Sequence, residues 1–165
     1  MIKKAVIGCV LIVLICPTFL VLSSGVRHLL VINSLHKHQE KWSELGMEDY
    51  RFILDIEEVF PHGEVHVLIE VREGQRARIS NIDTQVEMNE VEIADNFLDR
   101  LDTIDELFEA IDNGVRGNFG IIPLAMWFSA EFDGQYHFPS LVNIDHIFLV
   151  DGGITYKIQN FFPLD

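Results

Sequence analysis

Apolar and polar residues follow two different periods along this chain of 165 residues. Beyond residue 46 the period is two in several short runs, which is the pattern of β-strands that bury one face. The clearest run covers residues 65–72, where apolar residues fill every second position: Val65, Val67, Ile69 and Val71. The same run places His66, Glu70 and Arg72 on the opposite face.

Six strands are predicted from these runs and from the turn residues between them. Glu73-Gly74-Gln75 closes a tight hairpin into the third strand, where Ala77 and Ile79 point inward. Phe60-Pro61-His62-Gly63 is the turn predicted between the first two strands, and Asp133-Gly134 and Asp151-Gly152-Gly153 supply the later turns. The predicted strands cover residues 50–57, 65–72, 76–82, 125–132, 138–145 and 154–158.

Two helices are predicted from a period near 3.6. Residues 26–46 carry an apolar stripe at spacings of four and three, and Gly46 is their expected end. A later helix opens with a capping box, in which the Thr103 hydroxyl accepts from the Glu106 amide and the Glu106 carboxylate reaches back. Residues 83–101 indicate a loose helix or loop. The stripe of the first helix consists of Val31, Leu35, His38, Trp42 and Leu45.

This order of elements predicts an α+β fold. We expect a mostly antiparallel sheet of about six strands with helices packed on one face, preceded by an N-terminal transmembrane or signal helix. The expected divisions are a signal peptide or signal-anchor over residues 1–25, an amphipathic helix over 26–46 and a single α+β domain over 47–165. The chain length accommodates one domain and a targeting segment.

The N-terminal segment has the character of a membrane helix. Lys3 and Lys4 precede an apolar run of 18 residues that ends at Leu22, and such a helix spans about 27 Å. It is either a signal peptide cleaved near residues 23–25 or a retained anchor whose C-terminal side lies outside the cytoplasm. The length of the run favours retention. Lipidation at Cys9 is a weaker third alternative, since almost no apolar residues precede it.

Charge separates the N-terminal segment from the rest. Residues 26–165 contain 10 basic and 26 acidic residues, a formal net charge of −16. Such a surface repels phosphate backbones, which excludes nucleic acid as a partner, and it disfavours flat adhesion to anionic lipid. Both cysteines, Cys9 and Cys16, lie in the apolar run, so the predicted domain requires no particular redox compartment.

No recognised catalytic motif occurs in the chain. Serine elbows, phosphate loops and dinucleotide fingerprints are absent from the sequence, and the histidines lack metal-ligand spacing. The candidates for chemistry are the carboxylates Asp133, Asp145 and Asp151, which lie in or beside the last two turns. Carboxylate-rich turns collect Ca²⁺ ligands, but aspartate before glycine is also ordinary turn chemistry. We expect no cofactor.

A set of aromatic, capping and turn residues is spread along the chain beyond the N-terminal segment: Trp42, Tyr50-Arg51-Phe52, Thr103 to Phe108, Phe138-Pro139, Ile144-Asp145, Asp151-Gly152-Gly153, Tyr156 and Ile158. This set resembles a bacterial family of small secreted or membrane-anchored domains, domain of unknown function 6174. The resemblance covers roughly residues 40–162. It implies an extracytoplasmic location and an α+β fold, and it implies no reaction. Many members carry a close cysteine pair at the end of the first strand, which this chain lacks.

Three functions follow as hypotheses. The favoured one is a non-enzymatic binding or envelope-accessory module, tethered to the membrane by its N-terminal helix, with a protein or small ligand as partner. The second is a small hydrolase or Ca²⁺-binding domain that uses Asp133, Asp145 or Asp151. The third is a secreted inhibitor or ligand carrier released by cleavage after residues 23–25.

Overall fold

The elements of the fold occur in the predicted order. The structure is a computed structural model that describes residues 30–58, 63–96, 98–115, 126–146 and 153–164. The strands are β1 Tyr50–Glu58, β2 Gly63–Arg72, β3 Gln75–Asn81, β4 Met126–Phe132, β5 Pro139–His146 and β6 Gly153–Pro163. The helices are α1 (residues 30–45), α2 Glu90–Asp95 and α3 Ile104–Val115, with a 3-10 turn at Leu98–Arg100.

The six strands form one antiparallel sheet in the order β3-β2-β1-β6-β5-β4. Each half of the sheet is a meander of sequential strands, as the short turns predict. The halves join where β1 pairs with β6, so the first and last strands lie side by side in the centre. The predicted α+β class is therefore confirmed, with a sheet of six strands.

The predicted membrane segment over residues 1–25 lies outside the described residues, as do Asp151 and residues 60–62 of the turn predicted at residues 60–63. No helix within the described part of the chain is both long and apolar enough to cross a bilayer.

Helix α1 ends as predicted, because Gly46 adopts a left-handed φ of 58° and donates its N–H to the Ser43 carbonyl at 3.1 Å.

The hairpin between β2 and β3 has a two-residue turn. Glu73 and Gly74 both have positive φ, 52° and 71°, as a type I′ turn requires. The Gly74 N–H donates to the Glu48 carbonyl and the Glu73 N–H to Asp49 Oδ1, each at 2.9 Å. The turn is thereby fixed to the residues that lead into β1.

Two bulges decide which side chains face the core. In β6 the pairing with β1 shifts by one residue near Asn160, whose φ is 48°, so that Ile158 and Phe161 both face the helices. In β3 a similar shift lies opposite Glu70 and Val71. The prediction that Ala77 points inward is wrong, because the extra residue of this bulge leaves Ala77 exposed while Ile79 is buried.

One face of the sheet is covered by the helices. In α1 the predicted stripe is confirmed at Leu35 and Trp42, which are buried, while Leu45 is 43% exposed. Leu45 lies in the last helical turn, about 80° around the axis from Leu35, so it falls at the border of the stripe. Across the sheet the buried apolar residues are Tyr50, Phe52, Leu54, Ile56, Val67, Ile69, Val71, Ile79, Val142 and Ile158.

Helix α1 also contacts the sheet through a histidine. The His38 ring stacks on Phe132 at 4.1 Å between centroids and lies 5.4 Å from the His137 ring. Burial lowers the pKa of His38 below 6.5, and the neighbouring His137 adds to this effect. The neutral imidazole therefore serves here as a flat packing surface.

Tyr50 joins both long helices to the sheet. Its ring lies edge-on to Trp42 of α1, with centroids 5.4 Å apart, and equally far from Phe161 of β6. Its hydroxyl oxygen accepts from the Ile104 N–H at 3.0 Å, at the first residue of α3. This bond supplies a partner to one of the N–H groups that a helix leaves unpaired at its start.

The predicted capping box of α3 is confirmed. The Glu106 N–H donates to Thr103 Oγ1 at 3.2 Å, and Glu106 Oε2 accepts from the Asp102 N–H at 3.1 Å. The carboxylate thus reaches one residue further back than in the usual box. Together with Tyr50, these bonds hold the start of α3 against the sheet.

We predict that Tyr50→Phe lowers the free energy of unfolding by about 1–3 kcal/mol, because it leaves the buried Ile104 N–H without an acceptor. Urea unfolding of the full chain, followed by circular dichroism, measures this loss. Tyr136→Phe is the matched control, since its ring also packs on Phe161 and its hydroxyl has no hydrogen bond among the described residues. A loss no larger than that of the control, about 0.5 kcal/mol or less, contradicts the role of the hydroxyl.

Candidate functional site

The face of the sheet opposite the helices is the candidate site, which we call the open face. It is defined by side chains that share a face because their strands pair directly. The contacts of α1, α2 and α3 described here lie on the other face or at its border. The described side chains of the open face are Arg51, Ile53, Asp55, Glu57, Glu64, His66, Leu68, Glu70, Arg72, Gln75, Arg78, Ser80, Ser129, Glu131, Leu141, Asn143, Thr155, Lys157, Gln159 and Phe162.

This face is mainly polar. Its apolar members are few, and Ile53, Leu68 and Leu141 are half-buried between polar neighbours. Phe162 is the exception, with 46% of its surface exposed. Among its described side chains, the open face therefore lacks the continuous apolar surface that a second layer of helices would require.

A hydrogen-bonded group lies at its centre. Asp55 Oδ1 is 2.8 Å from His66 Nδ1, and Asp55 Oδ2 accepts from Gln159 Nε2. The three residues belong to β1, β2 and β6, which are neighbours in the sheet. Asp55 is only 8% exposed, because the other two side chains cover it. A carboxylate with so little water needs such partners.

The hydrogen bond to Asp55 raises the pKa of His66 above its usual 6.5. Burial opposes this rise, and the negative charges of Asp55, Asp83 and Glu64 add to it. The His66 Nε2 lies 3.7 Å from Glu64 Oε2, and 37% of the His66 side chain is exposed. The imidazole is thus held by Asp55 at Nδ1, while its Nε2 lies beside the exposed Glu64 carboxylate.

A second polar network crosses β4, β5 and β6. Asn143 Nδ2 donates to Ser129 Oγ at 3.2 Å, and Thr155 Oγ1 donates to Asn143 Oδ1 at 3.0 Å. These side chains are paired through their amide and hydroxyl groups across three strands. Their order on the surface is therefore set by the sheet.

A group of basic residues occupies the border of the open face near the β2–β3 turn. Glu70 accepts from Arg72 Nε at 3.0 Å and lies 3.6 Å from Arg78 Nη2. Arg51 pairs with Glu70 in the neighbouring strand, and its guanidinium lies 5.3 Å from the centre of the Phe162 ring. We call Arg51, Arg72, Arg78 and Phe162 the arginine corner.

The covered side holds a separate charged cluster. Arg76 bridges Asp102 at 3.2 Å and Glu90 at 2.8 Å, which ties β3 to α2 and to the start of α3. Burial, together with the Glu106 carboxylate, raises the pKa of Asp102 to about 7. Its contacts indicate a structural role.

The predicted candidates Asp133, Asp145 and Asp151 are not brought together by what the structure describes. Asp133 Oδ1 accepts from the N–H groups of Gln135 and Tyr136, at 2.8 and 2.6 Å, and so shapes the β4–β5 turn. Asp145 lies at the other end of β5, about 20 Å away at the usual rise per residue. Its side chain and Asp151 lie outside the described residues, so a Ca²⁺ site there stays a prediction.

The described contacts of the Asp55–His66 pair are hydrogen bonds and an ion pair within the sheet. The Asp55–His66 pair has no serine, threonine or cysteine among its described contacts, and it lies on a sheet surface where water is not excluded. Among the described residues, no three of His, Cys, Asp and Glu are grouped so that they could hold a metal ion. A depression along the outer side of α1, lined by His36, Gln39, Glu40, Ser43 and Glu44, is remote in sequence and element from this pair.

Asp55 and His66 were not singled out by the sequence analysis. Their signal was present, because both occupy outward positions of strands joined by a predicted turn. Gln159 carries no comparable signal, since its place depends on the pairing of β1 with β6 and on the bulge at Asn160.

We predict that Asp55→Asn lowers the pKa of His66 toward or below 6.5, because it removes the charged acceptor. NMR titration of the His66 ring measures this shift, and Glu64→Gln is the control with a smaller expected effect. Because the pKa of His66 is raised in the folded state, its ionic contact with Asp55 stabilises the fold fully below pH 6.5, the unfolded value. This stabilisation is lost as the pH rises through the folded-state pKa of His66. Equal shifts in the two variants would show that Asp55 does not govern His66.

Comparison with known proteins is consistent with this architecture. Residues 34–163 match the model of a family described as a family of unknown function, DUF6174. No curated protein and no solved structure matches the chain. The match begins within α1 and ends with the last residue of β6, so it includes every described strand, α2, α3 and most of α1. The chain therefore belongs to the DUF6174 family.

Proposed function

We propose that this protein is an extracytoplasmic, non-catalytic binding module that is held at the membrane by its N-terminal segment and that presents the open face to a partner. The observation that carries the proposal is the ordered polar centre of that face. Asp55 is nearly buried on the side of the sheet that the described helices leave uncovered, and it is held by His66 and Gln159.

A merely solvated face does not require this arrangement. Exposed carboxylates are hydrated without any side-chain partner, whereas Asp55 is desolvated and hydrogen-bonded. Side chains that are already fixed lose less conformational freedom on binding, and each immobilised side chain otherwise costs about 0.5–1.5 kcal/mol. The two polar networks of the open face therefore favour recognition of a partner over a surface that only confers solubility.

The sequence supports a location close to a membrane. Seven residues separate Leu22, the last residue of the apolar run, from residue 30, where the described part of α1 begins. Such a link spans at most about 25 Å. With Lys3 and Lys4 retained on the cytoplasmic side, the domain would be held near the outer surface of the bilayer.

We predict that a reporter fused after residue 165 shows an extracytoplasmic C-terminus. In a bacterial host, alkaline phosphatase at this position should be active and green fluorescent protein dark, because only the former folds in an oxidising compartment. Deletion of residues 1–25 should reverse both results. An active fluorescent fusion of the full chain would place the domain in the cytoplasm and contradict the proposal.

We predict that a photocrosslinking residue at Lys157 of the open face yields a discrete product in intact cells, because this exposed side chain pairs with Asp55 in the central strands. Glu40, on the outer side of α1, is the matched control position. The product from position 157 should disappear in Asp55→Asn, whose polar centre is disrupted. Products of equal yield from both positions, or none from position 157, would contradict binding through the open face.

A further inference from the structure

We propose that the arginine corner binds the carboxylates of an acidic, extended peptide segment of a partner protein. This inference rests on the proposed function, since it takes the open face to be the binding face, and it specifies the chemistry of the partner. Its basis is the juxtaposition of Arg51, Arg72, Arg78 and Phe162 at one border of that face.

The register of three strands creates the corner. Arg51, Glu70 and Arg78 are Cα partners in one row across β1, β2 and β3. Arg72 lies two residues beyond Glu70 on the same face. The pairing therefore gathers three arginines at one border of the open face, in a chain whose formal net charge is −14.

Glu70 shows how a carboxylate is held there. It accepts from Arg72 Nε at 3.0 Å and lies 3.6 Å from Arg78 Nη2. A guanidinium has five N–H donors in a planar fork, so these two contacts leave donors for a further carboxylate. The side chains of Arg72 and Arg78 are 43% and 49% exposed, which makes their donors accessible.

Phe162 provides an apolar surface beside the charges. Its ring is 46% exposed and lies under the Arg51 guanidinium, which orients that group without neutralising it. A peptide that lies across the arginine corner can therefore bind its carboxylates to the arginines and pack aliphatic side-chain atoms or backbone on the Phe162 ring.

The shape of the electrostatic field favours a narrow polymer. Residues 26–165 carry 26 acidic against 10 basic residues, so a membrane plane or a nucleic acid that reached the corner would also meet the repulsive surface around it. A single extended segment contacts the corner alone. Arg–carboxylate pairing is also directional, because two parallel N–H groups match two oxygens.

The test uses the full chain in an uncharged detergent and a fluorescein-labelled (Glu-Gly)5 peptide, with (Gln-Gly)5 as the neutral control, and measures fluorescence anisotropy at low salt. We expect the acidic peptide to bind at least about tenfold more tightly than the neutral one, and high salt to weaken it. The triple variant Arg51→Gln, Arg72→Gln, Arg78→Gln should lose about tenfold or more in affinity.

A charge-matched control separates the corner from net charge. Lys37→Gln, Lys41→Gln and Arg100→Gln together remove the same charge from α1 and the 3-10 turn, and we expect a change below about threefold. Glu70→Gln should change the affinity for the acidic peptide in the opposite direction. It removes the carboxylate that competes with the peptide for Arg72 and Arg78, so we expect binding to tighten severalfold. This variant keeps the inference testable if the triple variant does not fold.

Three results of the peptide experiment would overturn the inference. They are equal losses of affinity in the two triple variants, equal affinity for the two peptides, and an affinity in Glu70→Gln that is unchanged or weaker. Co-sedimentation with phosphatidylserine vesicles gives a further outcome. If the triple arginine variant lost co-sedimentation but kept peptide binding, the corner would be a lipid site and the inference would be overturned. A last outcome is that the acidic peptide fails to bind while the triple arginine variant still yields the photocrosslinked product from position 157. In that case the inference about an acidic segment is wrong, and the proposed function stands.

Discussion

The hydroxyl of Tyr50 sets the relation between the helices and the sheet. Its ring is fixed between Trp42 of α1 and Phe161 of β6, and its oxygen takes up the N–H that begins α3. A buried N–H at a helix start costs free energy if it has no acceptor. The Tyr50 oxygen therefore fixes the position at which α3 begins. Trp42, Tyr50 and Thr103 also carry the family resemblance, and the structure gives them positions that hold the fold together.

This arrangement makes the two faces of the sheet unequal. The apolar face is filled by helices that meet at Tyr50, while the other face carries paired polar side chains and half-buried aliphatic ones. The single bulge at Asn160 contributes to both faces, because it turns Phe161 toward the helices and Phe162 toward solvent. The architecture therefore leaves a broad, ordered surface whose polar centre and basic border differ from the acidic remainder of the chain.

Local signals predicted most of the elements, whereas non-local pairing could not be predicted. Alternation revealed the strands, and the cap at Thr103 revealed the start of α3, because both depend on neighbouring residues. The β1–β6 pairing brings Gln159 to Asp55 across more than a hundred residues, and no turn announces it. Ala77 was placed on the wrong face because a bulge reverses the alternation that the sequence pattern assumes.

The central claim is that the helices stabilise the domain from one side so that the other side binds. Hydroxyl-radical footprinting of the full chain in native membranes, compared with the purified chain in detergent, tests it most directly. Phe162 on the open face and Val91 on α2 are both exposed, at 46% and 69%. The account predicts that Phe162 and His66 lose reactivity in membranes while Val91 keeps it. Protection of Val91 with Phe162 unchanged would contradict the account.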